Sequence, residues 1–373
     1  MAIEASTNTS YGGATVTQKY SPLRGITYRA TQNAEYSALL TNRINQLANA
    51  NIFPQSLMLV TDWDTQIAAV SGHDPPLVVI SSNRSKWIAE GVRLSREQWK
   101  LTKYDGSNDV TALTGVVAKQ EQSPPLYAHQ RTEGDRKIYI VVHMHEYHQY
   151  AEALAESGMT VVGWSFRTPG SAPGPLTGFG ASRYAAIEFC KHLRTNMAGV
   201  KWDYAWLLDD NVVAISGFPG YAVVETALAA AEPEHVCVGF QGCSNVEGFT
   251  DTRTWANNEI RAERSRPTVL PELATTPGIV QQAALWNIKY LADNNLNFSP
   301  IFVASGEDVS LGNYFNAERA ETGGVPAKEA IPYLYYTRLS VIKEVINRPD
   351  DSHGAKLVKK VRDDYSKWFA AEE

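Results

Sequence analysis

The chain has 373 residues, of which 44% are hydrophobic and 20% charged, and its formal net charge at pH 7 is -6. This length allows one large or two ordinary domains with sizeable cores, and no apolar run approaches the ~20 residues of a membrane span. The acidic balance argues against a general nucleic-acid coat, because counterion release needs clustered lysine and arginine. Residues 1–13 lack the pattern of a secretory signal and three cysteines are too few for a disulfide framework, so we expect a cytoplasmic protein.

The first third of the chain differs in pattern from the rest. Short apolar strands are predicted at residues 56–60 and 76–80, on either side of Asp62-Trp-Asp64, and the polar residues 119–125 have the composition of a linker. We therefore predict an accessory α/β module at residues 1–125, followed by a second domain at residues 126–373.

From about residue 136, predicted strands and helices alternate along the chain. The strands are 137–143, 160–166, 204–208, 236–240 and 299–304, and the helices are 147–156, 181–193, 281–292 and a largely helical tail over 330–369. Such alternation predicts an α/β fold with a mostly parallel sheet, in which ligands bind at the carboxyl ends of the strands.

A run of apolar residues from Tyr204 to Leu208 ends in Asp209-Asp210-Asn211. Two adjacent carboxylates at the end of a buried strand need a cation or a proton to balance their charge. Hard oxygen ligands of this kind suit Mg²⁺ or Mn²⁺. The alternative interpretation is an ordinary Asp-Asp-Asn turn with no ligand.

A second acidic pair, Glu307-Asp308, follows the predicted strand 299–304. The pair is equally suited to cap the helix predicted after it, because the helix dipole favours acidic residues there. At the end of the first predicted strand, His143, His145, Glu146 and His148 lie close together in sequence. They are interpreted as a polar lining of a ligand pocket, with a zinc site as the alternative.

The order of these features resembles that of the GT-A glycosyltransferases. It comprises a strand-helix-strand start, a glycine-rich loop before Ala181-Ser-Arg183-Tyr184, then Leu208-Asp209-Asp210-Asn211, and about 100 residues later Gly306-Glu307-Asp308. The resemblance covers roughly residues 136–320. It implies a GT-A fold and the metal-dependent transfer of a sugar from a nucleotide-sugar donor, such as a UDP-sugar, to a hydroxyl group.

The resemblance also implies roles for particular residues. Asp209 and Asp210 would hold the metal or contact the sugar, and Asn211 stands where many relatives have a third aspartate. His353 would complete the metal shell, as a late histidine does in some related enzymes. Arg183 would pair with the diphosphate, although a surface salt bridge is the alternative.

In inverting members of the family a late carboxylate is the catalytic base, which here would be Asp308, with Glu307 orienting the acceptor or raising the pKa of its neighbour. His143 lies where the nucleotide base would bind. The sequence contains no phosphate-binding P-loop, no Gly-x-Ser-x-Gly elbow and no Gly-x-Gly-x-x-Gly after a strand, so kinase, hydrolase and dehydrogenase functions lose support.

Within that family, the chain looks most similar to phage glycosyltransferases found beside thymine and methylcytosine dioxygenases. This similarity implies an acceptor in DNA, a hydroxymethylated base, which Trp255 and Arg253, Arg261, Arg264 and Arg266 would contact after base flipping. Three alternatives stay open: transfer to a protein, glycan or small molecule; a sugar nucleotidyltransferase; and a non-catalytic nucleotide- or sugar-binding module.

Overall fold

In a computed structural model of the chain, the described residues are 5–11, 14–20, 58–67, 72, 74–93, 125–129, 136–167, 178–196, 199–215, 218, 220–229, 235–240, 243–246, 274–275, 282–298, 333–337 and 341–344. Their strands, β1 to β14 in chain order, are Ala5–Tyr11, Ala14–Tyr20, Met58–Thr61, Leu77–Ile80, Ile138–His143, Thr160–Arg167, Tyr204–Asp209, Val212–Ile215, His235–Phe240, Cys243–Val246, Ala274–Thr275, Ala283–Asn287, Tyr333–Thr337 and Val341–Glu344. Their helices, α1 to α6, are Trp63–Gln66, 85–93, Met144–Ala153, Phe179–Asn196, Tyr221–Ala229 and Ile288–Asp293, and Leu126–His129 forms a 3₁₀ turn. Among these helices, none is both long and apolar enough to span a lipid bilayer.

Eleven of the described strands form one mixed sheet in the order β11-β13-β9-β12-β7-β4-β5-β6-β3-β1-β2. At its centre, β7, β4, β5 and β6 run parallel to one another, and this group is flanked by the antiparallel strands β12 and β3. The four residues of β4, Leu77 to Ile80, are β-branched or leucine and all buried, as expected for a strand that is covered on both faces. The protein is therefore of the α/β class.

The strand order reverses at β4. From β4 the chain continues to β5 and β6 on one side, whereas β7 lies on the other side of β4. Ile80 at the end of β4 pairs with Val141 of β5 and with Asp209 of β7, so the carboxyl ends of these strands meet at one edge. In open α/β sheets the crevice at such a reversal is the usual place for a ligand.

Helices cover both faces of the sheet. On one face, which we call the α4 face, Tyr184 and Phe189 of α4 and Leu291 of α6 pack on the sheet. On the other, which we call the α3 face, Ile88 of α2 and Tyr150 of α3 do so. Successive residues of a strand alternate between these two layers of core, as the period of two requires.

A buried ion pair ties α4 to the segment that follows α6. Lys191 Nζ lies 2.9 Å from Glu188 Oε1 and donates a hydrogen bond to the carbonyl of Leu296 at 2.7 Å. Asn297 donates to the same Glu188 oxygen at 2.7 Å. Burial raises the pKa of Glu188, and Lys191 beside it opposes that shift. The pair is satisfied by hydrogen bonds on both sides, which a buried ion pair requires.

Helix α1 packs on β6 through the backbone of Gly163. The carbonyl of Gly163 accepts a hydrogen bond from Trp63 Nε1 at 2.9 Å, and its N–H donates to Gln66 Oε1 at 2.8 Å. A Cβ atom at this position would overlap the sulfur of Met144 and lie 3.3 Å from the ring of Tyr147. A side chain at position 163 would therefore require the Met144 side chain of α3 to move.

Most of the predicted elements after residue 136 are confirmed. The strands at 138–143, 160–167, 204–209 and 235–240 agree with the prediction to within one residue, and the two early strands are present at Met58–Thr61 and Leu77–Ile80. The predicted helix at 147–156 begins earlier, at Met144, where His143 accepts a hydrogen bond from the N–H of His145 and caps it.

Two predictions are wrong. Residues 281–292 were expected to be one helix, but Ala283–Asn287 is a fully buried strand and the helix begins only at Ile288, capped by Asn287. An apolar run that is buried on both faces fits either structure by its pattern. The tail over 330–369 was expected to be largely helical, yet Tyr333–Thr337 and Val341–Glu344 are strands, in keeping with their aromatic and β-branched residues.

Strands from both sides of residue 125 share the large sheet. β4 pairs with β5 and β7, and β3 pairs with β6. The described strands of the first 125 residues therefore do not form a sheet of their own. The predicted strand 299–304 and the rest of the tail lie outside the described residues.

Candidate functional site

The predicted acidic pair lies at the strand-order reversal. Asp209 ends β7 opposite Ile80, and Asp210 and Asn211 form the turn before β8. Asp209 remains partly accessible, whereas Asp210 is only 3% exposed. The two carboxylates are thus close to the end of β4, a strand that the sequence predicts to lie in a separate module.

Asp210 is held by residues of the loop that follows β4. Its Oδ2 accepts a hydrogen bond from the Ser81 hydroxyl at 2.7 Å, and its Oδ1 forms an ion pair with the guanidinium of Arg84. Its backbone carbonyl accepts from the hydroxyl of Tyr127 at 3.0 Å. Burial would lower the pKa of Arg84, but the charge and hydrogen bond of Asp210, together with Tyr150 and Asp209, outweigh it, and the pKa is raised.

Tyr150 of α3 completes this network. Its hydroxyl lies 2.8 Å from Ser81 Oγ and accepts a hydrogen bond from the backbone N–H of Arg84 at 2.8 Å. Since the one hydroxyl hydrogen of Ser81 goes to Asp210, Tyr150 is the donor in its bond to Ser81. Burial, and then the charges of Glu146 and Asp210, raise the pKa of Tyr150, which keeps this hydroxyl protonated. The hydrogen bonds run from Arg84 through Tyr150 and Ser81 to Asp210 and back to Arg84, as a closed ring.

Asp209 has a different arginine as its partner. Arg183, in the second turn of α4, places Nη2 2.9 Å from Asp209 Oδ1, and its side chain is 7% exposed. Arg183 and Asp209 lie on the α4 face of the sheet, whereas Asp210 and its network lie on the α3 face. Adjacent carboxylates therefore hold one arginine on each face, and the four charges sum to zero.

This arrangement fits a divalent cation only in part. Both oxygens of Asp210 are engaged, and the guanidinium of Arg84 lies against it where a cation would bind. Of the residues that the resemblance implies as metal ligands in this turn, Asp209 is paired with Arg183 as well. The described residues contain no group of three or more His, Cys, Asp or Glu side chains with metal-binding geometry.

The loop after β4 is fixed by α3 as well. Asn83 has a left-handed backbone with φ of 62°, which asparagine tolerates better than most residues. Its N–H donates to Oε1 of the fully buried Glu146 at 2.6 Å. Glu146 thus holds the loop through a hydrogen bond. In the sequence analysis, Glu146 is interpreted only as part of the polar lining of a ligand pocket.

His143 is buried at the end of β5. Its ring stacks on His145 at 5.1 Å and meets the edge of Trp164 at 5.0 Å. Burial, and next the charge of His145, lower the pKa of His143 to about 3, so the ring is neutral near pH 7. Because Nδ1 accepts the N–H of His145 at 3.3 Å, the ring proton lies on Nε2. His145 and His148 are exposed, and the four residues considered for zinc do not gather around one point.

Buried polar atoms that lack a hydrogen-bond partner concentrate at this edge. Within the described part of the chain they include Asn83 Oδ1 after β4, His143 Nε2 at the end of β5, and Trp164 Nε1 and Ser165 Oγ in β6. Buried polar groups are normally hydrogen-bonded. These atoms at the carboxyl edge are exceptions to that rule.

The structure brings Asp209, Asp210 and Arg183 together, with Asn211 in the same turn. Glu307, Asp308 and His353 lie outside the described residues, as do the segment with Trp255 and the arginines Arg253, Arg261, Arg264 and Arg266. Sequence reasoning missed Ser81, Arg84, Tyr127 and Tyr150. For Ser81 and Arg84 a signal was available, since Ser-Ser-Asn-Arg directly follows an apolar strand.

Comparison with known proteins adds no relative: no protein-family model matches the chain, and no curated protein matches it significantly in sequence.

Proposed function

We propose that the chain is a GT-A-type glycosyltransferase that uses a nucleotide-sugar donor. The observation that carries the proposal is the acidic pair at the end of β7, placed beside the end of β4 where the strand order reverses. This is where α/β proteins bind nucleotides. The described fold is of the α/β class to which GT-A enzymes belong, and the order of motifs along the chain supports the finer assignment.

The charges at this edge suit the departure of a sugar from a diphosphate. As that bond breaks, the leaving phosphate gains negative charge, which nearby cationic groups stabilise. Arg183 and Arg84 are cationic groups beside the acidic pair. The neutral Nε2–H of His143 is a hydrogen-bond donor suited to the polar part of the donor molecule.

The family resemblance implies a bound Mn²⁺ or Mg²⁺ ion, and we include this ion in the proposal. Asp209 and Asn211 would hold it, with His353 as a further ligand, and the ion would supply positive charge to the diphosphate. In the same way, Asp308 with Glu307 is proposed as the base that takes the proton of the acceptor hydroxyl. The proposed acceptor is a hydroxymethylated base in DNA, and salt dependence of acceptor binding separates DNA from a small molecule.

The proposal is tested by incubating the protein with a panel of nucleotide sugars and measuring release of the nucleoside diphosphate, with modified DNA added or omitted. We expect turnover of one donor and its loss, by about 100-fold or more, in Asp209→Asn. The matched control is Asp203→Asn, which removes a carboxylate from an exposed ion pair just before β7 and should keep full activity. If no donor is turned over, the glycosyltransferase proposal is refuted, and a non-catalytic binding module remains as the alternative.

A further inference from the structure

Arg84 combines a fixed position with access to solvent. The carboxylate that it contacts is almost completely buried, at 4% exposure, whereas the Arg84 side chain is 31% exposed. The guanidinium is therefore held at Nη1 by Asp210, while part of the Arg84 side chain stays open to solvent.

The hydrogen-bond ring holds Arg84 from two directions. Its backbone N–H is bound by Tyr150, its Nη1 is bound by Asp210, and Ser81 links the two partners. Such support reduces the conformational entropy that an arginine loses when it binds a ligand. The Arg84 side chain is therefore preorganised for ligand binding.

Arg84 also retains hydrogen-bonding capacity. A guanidinium has five N–H donors in a planar fork that matches phosphate oxygens. Among the described residues, the hydrogen bond made by this guanidinium is the one from Nη1 to Asp210. Arg84 further stands at the start of α2, where the carbonyl of Arg84 accepts the N–H of Ile88 and the positive end of the helix dipole favours an anion.

We infer that Arg84 binds a phosphate group of the ligand at the strand-order reversal, and that this binding needs no divalent cation. A cation held by Asp210 would depend on negative charge that Arg84 already neutralises. Asp210 is then a positioning residue for Arg84 and not a metal ligand. The inference rests on the proposed function in that the phosphate belongs to a nucleotide, but its test does not require sugar transfer.

The test is calorimetric titration of the full chain with inorganic pyrophosphate in excess EDTA, repeated with Mn²⁺ in place of EDTA. We expect saturable binding in EDTA that weakens as salt is raised, and a loss of affinity of about tenfold or more in Arg84→Gln. The matched control is Arg93→Gln in the same helix, where the arginine is exposed and pairs with Glu90. This variant should bind pyrophosphate as the wild type does.

Arg84→Gln leaves a buried carboxylate without its cation, which destabilises the fold, so a second variant separates stability from binding. Arg84→Gln/Asp210→Asn removes both charges, and Asp210→Asn keeps the shape of the buried side chain; the double variant should fold and still fail to bind. Wild-type affinity in either Arg84 variant, binding that requires Mn²⁺, or no binding by the wild type would each overturn the inference.

The two proposals fail in different ways. Pyrophosphate binding through Arg84 without turnover of any nucleotide sugar would retain the phosphate site and reject the glycosyltransferase. Turnover that is abolished by EDTA, with Arg84→Gln as active as the wild type, would retain the glycosyltransferase and reject the phosphate site.

Discussion

Replacing Asp210 by alanine is expected to lower the free energy of unfolding by about 3 kcal/mol. The Asp210 residue is 3% exposed, and its carboxylate makes two side-chain contacts, the 2.7 Å bond from Ser81 and the ion pair with Arg84. A hydrogen bond to a charged group contributes about 1.5–3 kcal/mol. Both contacts fall toward the lower end of that range, because Ser81 keeps Tyr150 as a partner and Arg84 can be hydrated. The bond from Tyr127 goes to the backbone and is retained.

Urea unfolding monitored by far-UV circular dichroism measures this loss, with Asp203→Ala as the matched control. Asp203 also pairs with an arginine, Arg194, at 2.7 Å, but it is 50% exposed, so its replacement should cost at most about 1 kcal/mol. Equal losses in the two variants would show that burial does not strengthen the contacts of Asp210, and the role of the hydrogen-bond ring would be refuted.

Three further predictions concern the core and its pH dependence. Burial lowers the pKa of His143 from 6.5 to about 3, so the unfolded chain takes up the proton first as pH falls. The free energy of unfolding should therefore decrease by about 2 kcal/mol between pH 7 and 5. Urea unfolding at both pH values measures this loss, which should be smaller in His143→Gln. Gly163→Ala should lower the free energy of unfolding by about 1–3 kcal/mol, because the added Cβ overlaps Met144. In a double-mutant cycle with Met144→Ala the two losses should be coupled, and additive losses would contradict the overlap. Lys191→Met should cost about 3–5 kcal/mol because Glu188 is left buried without its cation, and adding Glu188→Gln should recover most of the loss; no recovery would contradict the ion-pair explanation.

The sequence predicts the centre of the sheet well. Residues 138–143 and 204–209 are runs of buried β-branched, leucine and aromatic residues, for which the strand is the favoured structure. Residues 283–287 have an equally apolar pattern but were predicted as helix. What decides that segment is its place between β7 and β9, and this is a tertiary fact that local pattern does not contain.

The candidate site is predictable only in its acidic half. The position of Asp209 and Asp210 follows from the end of an apolar strand, but their partners do not. Arg84 and Tyr127 are 126 and 83 residues away from Asp210 in sequence. They meet Asp210 because β4 is the neighbour of β7, and the order of strands in a sheet is not encoded in their spacing along the chain.

The ion pairs of the two adjacent carboxylates also favour one register of β7 against β4. Asp209 pairs with Arg183 on one face of the sheet, and Asp210 pairs with Arg84 on the other. A slip of β7 by one residue against β4 would reverse every side chain of the strand. It would bring either Leu208 or Asn211 opposite one of the arginines and leave that guanidinium without a counter-charge. A mispaired strand is therefore penalised at its tip as well as in its apolar core.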